Sequence, residues 1–238
     1  MKKFFSRLLR FFAGSAVCAC CGADLYDHPH FCESCLRTLP FNNGPVCNKC
    51  GRATEQAYPA CLECKADMPA FDAARSAFRY EGEIVRLIKQ FKNGHKYLAE
   101  AFAHCMVPLL SEFETPDLIV SVPMTESAQK RRGYNQSELL AREVSARTGI
   151  VYEGKLLVKT RETDAQKTLT AKQRSENLRG SLRVHERVKC RGKRILIVDD
   201  VLTTGATTSA AAQALLRAGA LRVYVLTAAS VPDKRDRP

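Results

Sequence analysis

Eight cysteines between residues 18 and 64 fall into four pairs, each with two residues inside: Cys18 and Cys21, Cys32 and Cys35, Cys47 and Cys50, Cys61 and Cys64. Such a pair can hold two thiolates about 3.5 to 4 Å apart on one tetrahedral ion, and two pairs close a four-sulfur zinc site. The pairs repeat with a period of 29, and each copy carries a glycine directly after its second cysteine, Gly22 and Gly51. A glycine there suits a tight knuckle whose backbone needs positive φ. The repeat also sets the register, because only Cys18 and Cys21 match the spacing of Cys47 and Cys50, which leaves Cys20 a spectator thiol. Two zinc ions are therefore expected, and closed four-thiolate sites make them structural. A disulfide framework conflicts with a reducing compartment, and fourfold repetition of a zinc spacing argues against redox dithiols. The segments between knuckles are poor in apolar residues, so metal binding should supply much of their folding energy. His28 and His30 lie among these segments and are read as surface residues.

The second chemical feature is RILIVDDVLTTGATTS at 194 to 209. Ile195 to Val198 is apolar at every position, as in a parallel strand buried on both faces, and Asp199 and Asp200 follow it. Thr203, Thr204, Gly205, Ala206 and Thr207 then lead into an alanine-rich helix ending near Gly219, before a further apolar run from Val223 to Leu226. A phosphate monoester would sit over that helix N-terminus, where free N–H groups, the helix dipole and threonine hydroxyls favour an anion. The two carboxylates would take the hydroxyls of an attached sugar, directly or through magnesium. A Walker B strand would need a G-x4-G-K-[ST] loop elsewhere, and the sequence has none. A receiver domain would need more than the 38 residues that follow Asp200.

Composition sets the frame for both features. The chain has 238 residues, 45% hydrophobic and 26% charged, which excludes disordered and low-complexity classes. Its formal charge is +12, from 37 basic and 25 acidic side chains. The surplus is local: residues 15–68 hold four basic and six acidic residues, whereas 121–194 hold 18 and eight. A phosphate-bearing partner is expected for the second half. No apolar run approaches the about 18 residues of a membrane span. At the N-terminus, Arg7 and Arg10 interrupt what would be the apolar core of a secretory signal, while Phe4, Phe5, Leu8, Leu9, Phe11 and Phe12 recur at near-helical spacing. An amphipathic helix docked on the body of the protein, or one lying at a membrane surface, fits that pattern. A cytoplasmic location is expected.

An apolar strand, two acids and a T-T-G-x-T loop resemble the type I phosphoribosyltransferases, in which this segment binds the ribose 5-phosphate of phosphoribosyl pyrophosphate. The likeness is wider than that loop. The cysteine knuckles with FDAARSAFRYEG at 71 to 82, SVP at 121 to 123, RRGYNQ at 131 to 136, QRSEN at 173 to 177 and VDDVLTTGAT at 198 to 207 resemble the ComF family over nearly the whole chain. MTES at 124 to 127 stands where many relatives carry a His-Pro pair. The resemblance implies an α/β protein of type I phosphoribosyltransferase fold, a parallel sheet flanked by helices, behind a small N-terminal double zinc ribbon. It also implies phosphoribosyl pyrophosphate with magnesium as ligand, and a link to DNA uptake in natural competence, with other uptake proteins as partners. The expected divisions are an amphipathic helix at 1–14, the zinc module at 15–68, a phosphoribosyltransferase-like domain at 69–232 and a disordered tail at 233–238.

Within that domain, Leu118 to Val122 reads as a strand broken by Pro123, and Tyr134 to Thr148 as a helix. Lys130, Arg131 and Arg132 would arrive just before that helix, where they suit a pyrophosphate leaving group or else form a solvated basic loop. Leu156 to Val158 reads as a short strand, and Arg161 to Thr168 as a loop. Thr170 and Gln173 form a capping box for a helix carrying Arg174 and Asn177. By resemblance this region is the flap that closes over substrate. Phe71 to Leu110 should supply a linker, an edge element and a helix from Glu83, forming a hood over the acceptor. Transfer of a phosphoribosyl group passes through an oxocarbenium-like centre, so catalysis needs charge neutralisation, positioning and water exclusion. His95, His104 and His185 are isolated, and Cys105 and Cys190 are read as packing thiols. The alternative function is a non-catalytic protein on the same fold, binding a phosphorylated ligand or single-stranded DNA along its basic surface. Tyr134 and Tyr152 are the only aromatic residues of residues 121–194, a poor supply for base stacking.

Overall fold

The computed structural model describes residues 17–25, 28–160 and 181–233. The N-terminal amphipathic segment, the expected capping-box helix with Arg174 and Asn177, and 234–238 lie outside them. The chain forms two compact units, 1–39 and 40–238. In the smaller, the described residues hold the first four-cysteine set and a short helix, α1, Glu33–Thr38. The second set lies in the larger unit, with the short helix α2, Leu62–Ala66, following Cys61.

The larger unit is organised by its most apolar strands. Three of them are β2, Leu118–Ser121, β5, Arg194–Leu202, and β6, Arg222–Ser230; β1, Ala73–Arg79, completes a four-stranded sheet of order β1-β6-β5-β2 in which every pairing is parallel. Ile195 to Val198 and Val223 to Ser230 are buried at every position, as two-sided burial requires. A parallel pair needs a crossover, and the helix α7, Ala206–Arg217, supplies it between β5 and β6. Its alanines keep it thin: Ala211, Ala212 and Leu215 pack into one core cluster with Ile195, Ile197, Val223 and Val225.

Three longer helices complete the unit. In α3, Gly82–Lys92, Ile84, Leu87, Ile88 and Phe91 recur at helical spacing and are all buried. Phe91 meets Phe102 of α4, Leu98–Met106, at 5.7 Å edge to face, and Phe78 of β1 meets the same ring at 6.3 Å. The helix α6, Gln136–Thr148, packs on β2, β5 and α4. Between β2 and α6 lies a helix that sequence reasoning did not foresee, α5, Glu126–Arg132. Thr125 caps it by accepting from the Ala128 amide, and Gly133 ends it at φ +80. The expected helix from Tyr134 accordingly starts two residues later, after Asn135 caps it. A two-stranded antiparallel ribbon of β3, Leu157–Lys159, and β4, Leu182–Val184, flanks residues 161–180. Among the described residues no helix is long and apolar enough to cross a membrane.

The second knuckle is built into this unit. Cys47, Cys50, Cys61 and Cys64 share a core cluster with Phe71, Ala74 and Leu202, and the Ala74 amide donates to the Lys49 carbonyl at 2.9 Å. Gly51 has φ +68, and a Cβ there would lie 2.1 Å from the Ala74 carbonyl oxygen. Gly149, which ends α6 at φ +74, has nothing within 4 Å of its would-be Cβ. Gly149→Ala should therefore cost only the left-handed strain of about 1 to 2 kcal/mol, and Gly51→Ala substantially more. Urea unfolding of the two variants checks this, and equal losses would mean that the knuckle does not press on β1 in solution.

Candidate functional site

The site forms where β5 outruns its neighbour. Pairing of β2 with β5 ends at Ser121 and Val198, whereas β5 continues beside β6 to Leu202. The expected strand end at the acid pair is thus corrected: Asp199 and Asp200 lie inside β5, over a stretch where the ladder toward β2 has stopped. Open parallel sheets bind ligands outside the carboxyl ends of their strands, where such a crevice opens.

Three elements converge on the carboxylates. Ser137, in the first turn of α6, donates from Oγ to Asp199 Oδ1 at 2.6 Å, and the Asp200 amide donates to the same oxygen at 2.9 Å. Asp200 Oδ1 accepts from the Val201 amide, and its Oδ2 faces Lys92 Nζ at 2.7 Å. Lys92 is the last residue of α3, held by buried Phe91, whose carbonyl accepts from the Tyr134 hydroxyl. Burial, then the neighbouring Asp200, pushes the Asp199 carboxyl up to about 7, against the opposing pull of Ser137, the Asp200 amide and Lys92. Sequence reasoning missed both partners. The only signal for Ser137 was its place at an Asn-capped helix start, and Lys92 carried none.

The loop after the acids has the expected form. Thr203 and Thr204 are exposed, and Gly205, at φ +78, caps α7. As in any helix, the first-turn amides of Ala206 and Thr207 precede the helical ladder, which begins with Ser209 donating to Gly205. Thr204 Oγ1 lies 3.4 Å from the Ala206 amide, while Thr208 is buried and donates from Oγ1 to the Gly205 carbonyl at 3.0 Å. Donors for an anion therefore come from Thr203 to Thr207, and Thr208 holds the turn.

The basic triad requires a second correction. Lys130, Arg131 and Arg132 form the last turn of α5, where cations complement the helix C-terminus, and all three are exposed. They do not lie in a loop before the next helix. Arg132 still reaches it: its Nη1 donates to Gln136 Oε1 at 2.7 Å, one residue from Ser137. The MTES segment makes the turn into α5, and Asn135 Nδ2 ties the far end of α5 back to the Val122 carbonyl.

Both cysteine sets are gathered as the spacing requires, with the four sulfurs of each within 4.8 Å of one another. Cys21 and Cys32 sulfurs are 3.7 Å apart and those of Cys50 and Cys61 3.8 Å, matching the about 3.8 Å edge of a tetrahedron with 2.3 Å zinc–sulfur bonds. The two copies repeat in detail, the Cys32 amide donating to Cys18 Sγ and the Cys61 amide to Cys47 Sγ. Gly22 and Gly51 have φ of +77 and +68. Hydrogen bonds from Cys50 and Cys64 pull the Cys47 thiol far down, and the bond to Cys47 pushes Cys64 far up. Four sulfurs gathered within 4.8 Å of one another suit a cation that binds all four as thiolates. Cys20 belongs to neither set. Of the other thiols, Cys190 is buried, and burial pushes Cys105 up to about 12.

Known proteins share sequence with both parts of the chain. Residues 105–238 match the phosphoribosyl transferase domain, and residues 10–69 the double zinc ribbon domain. The DNA utilization protein YhgH of Salmonella typhi is 32% identical, over 83% of this chain and 95% of its own. Competence protein F of Haemophilus influenzae is 27% identical, over 82% and 87%. A glutamine phosphoribosylpyrophosphate amidotransferase structure from B. subtilis aligns at 26% identity over 56% of this chain and 26% of its own, with a TM-score of 0.36. A parallel sheet with an acid pair and a threonine loop at the carboxyl end of its strand defines a type I phosphoribosyltransferase fold. With the double zinc ribbon ahead of it, the chain belongs to the ComF family.

The raised Asp199 carboxyl carries a stability signature. A group at about 7 in the fold and near 3.8 when unfolded binds its proton more tightly when folded, so stability falls as pH rises from about 4 to about 7. Asp199→Asn keeps an oxygen to accept from Ser137 and the Asp200 amide while removing the charge. It should raise the melting temperature at pH 8 and leave it little changed at pH 4, a difference that a pH series of thermal melts measures.

Proposed function

We propose that the crevice at the end of β5 binds phosphoribosyl pyrophosphate with magnesium, in a protein that serves DNA uptake. The observation that carries this reading is the junction of three features: the acid pair, the left-handed Gly205 turn and the helix N-terminus behind it. The 5-phosphate sits over the amides of Ala206 and Thr207, with the hydroxyls of Thr203, Thr204 and Thr207 as further donors. Asp199 and Asp200 hold the ribose hydroxyls, and Ser137 keeps Asp199 oriented toward them. Lys130, Arg131 and Arg132 stand beside the start of α6 to receive pyrophosphate. Magnesium bound with the ligand at Asp199 and Asp200 would supply charge neutralisation for the pyrophosphate. Lys92 pairs with Asp200 Oδ2 and offsets the charge of that carboxylate. The DNA link comes from relatives named for DNA utilization and competence.

Calorimetry with phosphoribosyl pyrophosphate and magnesium tests the site. Binding should be tighter at pH 8 than at pH 6, because Asp199 gives up its proton near 7, and Asp199→Asn/Asp200→Asn should reduce affinity at least about tenfold, as loss of charge-assisted contacts does. Affinity unchanged in the double variant would place the ligand elsewhere.

A second reading is favoured by one observation, the exposed cationic turn of Lys130, Arg131 and Arg132 within a span of 18 basic and eight acidic residues. It is that single-stranded DNA binds this surface weakly and without sequence preference. Each phosphate contact contributes about 0.7 to the salt-dependence slope for single strands, so alanine at all three positions should lower affinity and flatten that slope by up to about 2. Filter binding over a salt series measures both, and addition of phosphoribosyl pyrophosphate should displace DNA if the triad serves each.

A further inference from the structure

The two copies of the cysteine repeat differ at a position that the zinc site does not explain. Arg52 follows Gly51 in the second copy, and the residue 29 positions earlier is Ala23; Glu63 likewise corresponds to Ser34. Arg52 is only 2% exposed, the largest of the fully buried side chains among the described residues. A cation so buried needs its donors met by close partners. Its guanidinium spends three donors on three different elements. Nε donates to Cys50 Sγ at 3.2 Å, Nη1 pairs with Glu63 of α2, and Nη2 donates to the Thr203 carbonyl at 2.9 Å.

The last contact spans 151 residues and falls on the first residue of the threonine loop. On its other side, the same turn is held by the Val231 amide donating to the Leu202 carbonyl at 3.0 Å, and next to Arg52 the Asp233 amide donates to the Ala53 carbonyl at 3.2 Å. A planar fork fixes relative direction as well as distance, which a flexible ammonium does not. Satisfying a buried cation by a thiolate, a carboxylate and a carbonyl also makes it costly to release any one of them.

We infer that Arg52 is a positioning residue through which the second zinc site sets the geometry of the 203–207 loop. A metal-ordered knuckle holds Cys50 and the start of α2, these hold the guanidinium, and the guanidinium holds the Thr203 carbonyl. The first knuckle, with alanine at the corresponding place, has no such role. The effect on ligand affinity rests on the proposed phosphoribosyl pyrophosphate site, whereas the ordering of the loop does not.

The test is amide hydrogen exchange of the full chain without ligand, with zinc counted in the same samples. Arg52→Lys keeps a cation beside the thiolates but loses the fork. Zinc should stay at two per chain while exchange over 203–208 accelerates about tenfold, the loss expected for a charge-assisted hydrogen bond, with 118–121 unchanged. Ribose 5-phosphate affinity should fall by a similar factor. Exchange at 203–208 unchanged, or faster equally in both segments, would overturn the inference. If Arg52→Lys sheds zinc, Glu63→Ala decides by the same readout, since it leaves every thiolate and Arg52 in place and removes the acceptor that orients Nη1. Wild-type protein that binds no sugar phosphate would refute the proposed ligand and leave the exchange result to judge the role of Arg52.

Discussion

The structure turns on one mismatch of lengths, a central strand that runs past its neighbour. While β5 is flanked by both β2 and β6, its side chains are Ile195 to Val198, fully buried between helices. Where β2 stops, the chain changes abruptly to Asp199 and Asp200. Carboxylates are tolerated there because one side of the ladder is open, and only with local donors to meet them. The start of α6 and the end of α3 must therefore come to this point, and their sequences fix them there: Asn135 caps one and Phe91 anchors the other. The result is a pair of acids held in a partly dry setting, with burial and its neighbour pushing the Asp199 carboxyl up to about 7.

The zinc module extends that logic. A four-thiolate site folds a short segment that has too little apolar surface to fold by itself. Once folded, the second knuckle offers its cysteines to the same core as Phe71 and Leu202. Gly51 lets it approach β1, and Arg52 lets it reach the loop that follows β5. The two halves of one repeat thus carry different burdens. The first is a unit with its own metal set, and the second is a wall of the larger unit.

Charge is distributed to match. Ion pairs at the rim of the sheet, such as Arg194 with Asp117 at 3.2 Å and Arg222 with Asp72 at 2.7 Å, are partly exposed and contribute little. The consequential charges are those taken out of water, Arg52 and Asp199. Lys130, Arg131 and Arg132 stay in solvent at a helix C-terminus, where they complement the dipole without a desolvation cost.

By itself the sequence determined whatever depends on local spacing. Four C-x2-C pairs with a period of 29 specify two closed sulfur sites, because ligand geometry is set by the chain within a few residues. An unbroken apolar run followed by acids, threonines and glycine specifies strand, loop and helix N-terminus for the same reason, and the observed β5, Gly205 turn and α7 follow that reading. What only the tertiary structure decided was long-range or a matter of register. The acids proved to lie within β5 because the strand's end is set by how far β6 runs beside it. The basic triad proved to close a short helix because Thr125 and Gly133 cap a segment too brief for periodicity to show. Ser137, Lys92 and Arg52 reach the site from 62, 108 and 151 residues away along the chain. No periodicity or propensity encodes such partners; they are chosen by the packing of whole helices and a knuckle around one sheet, and that packing exists only in three dimensions.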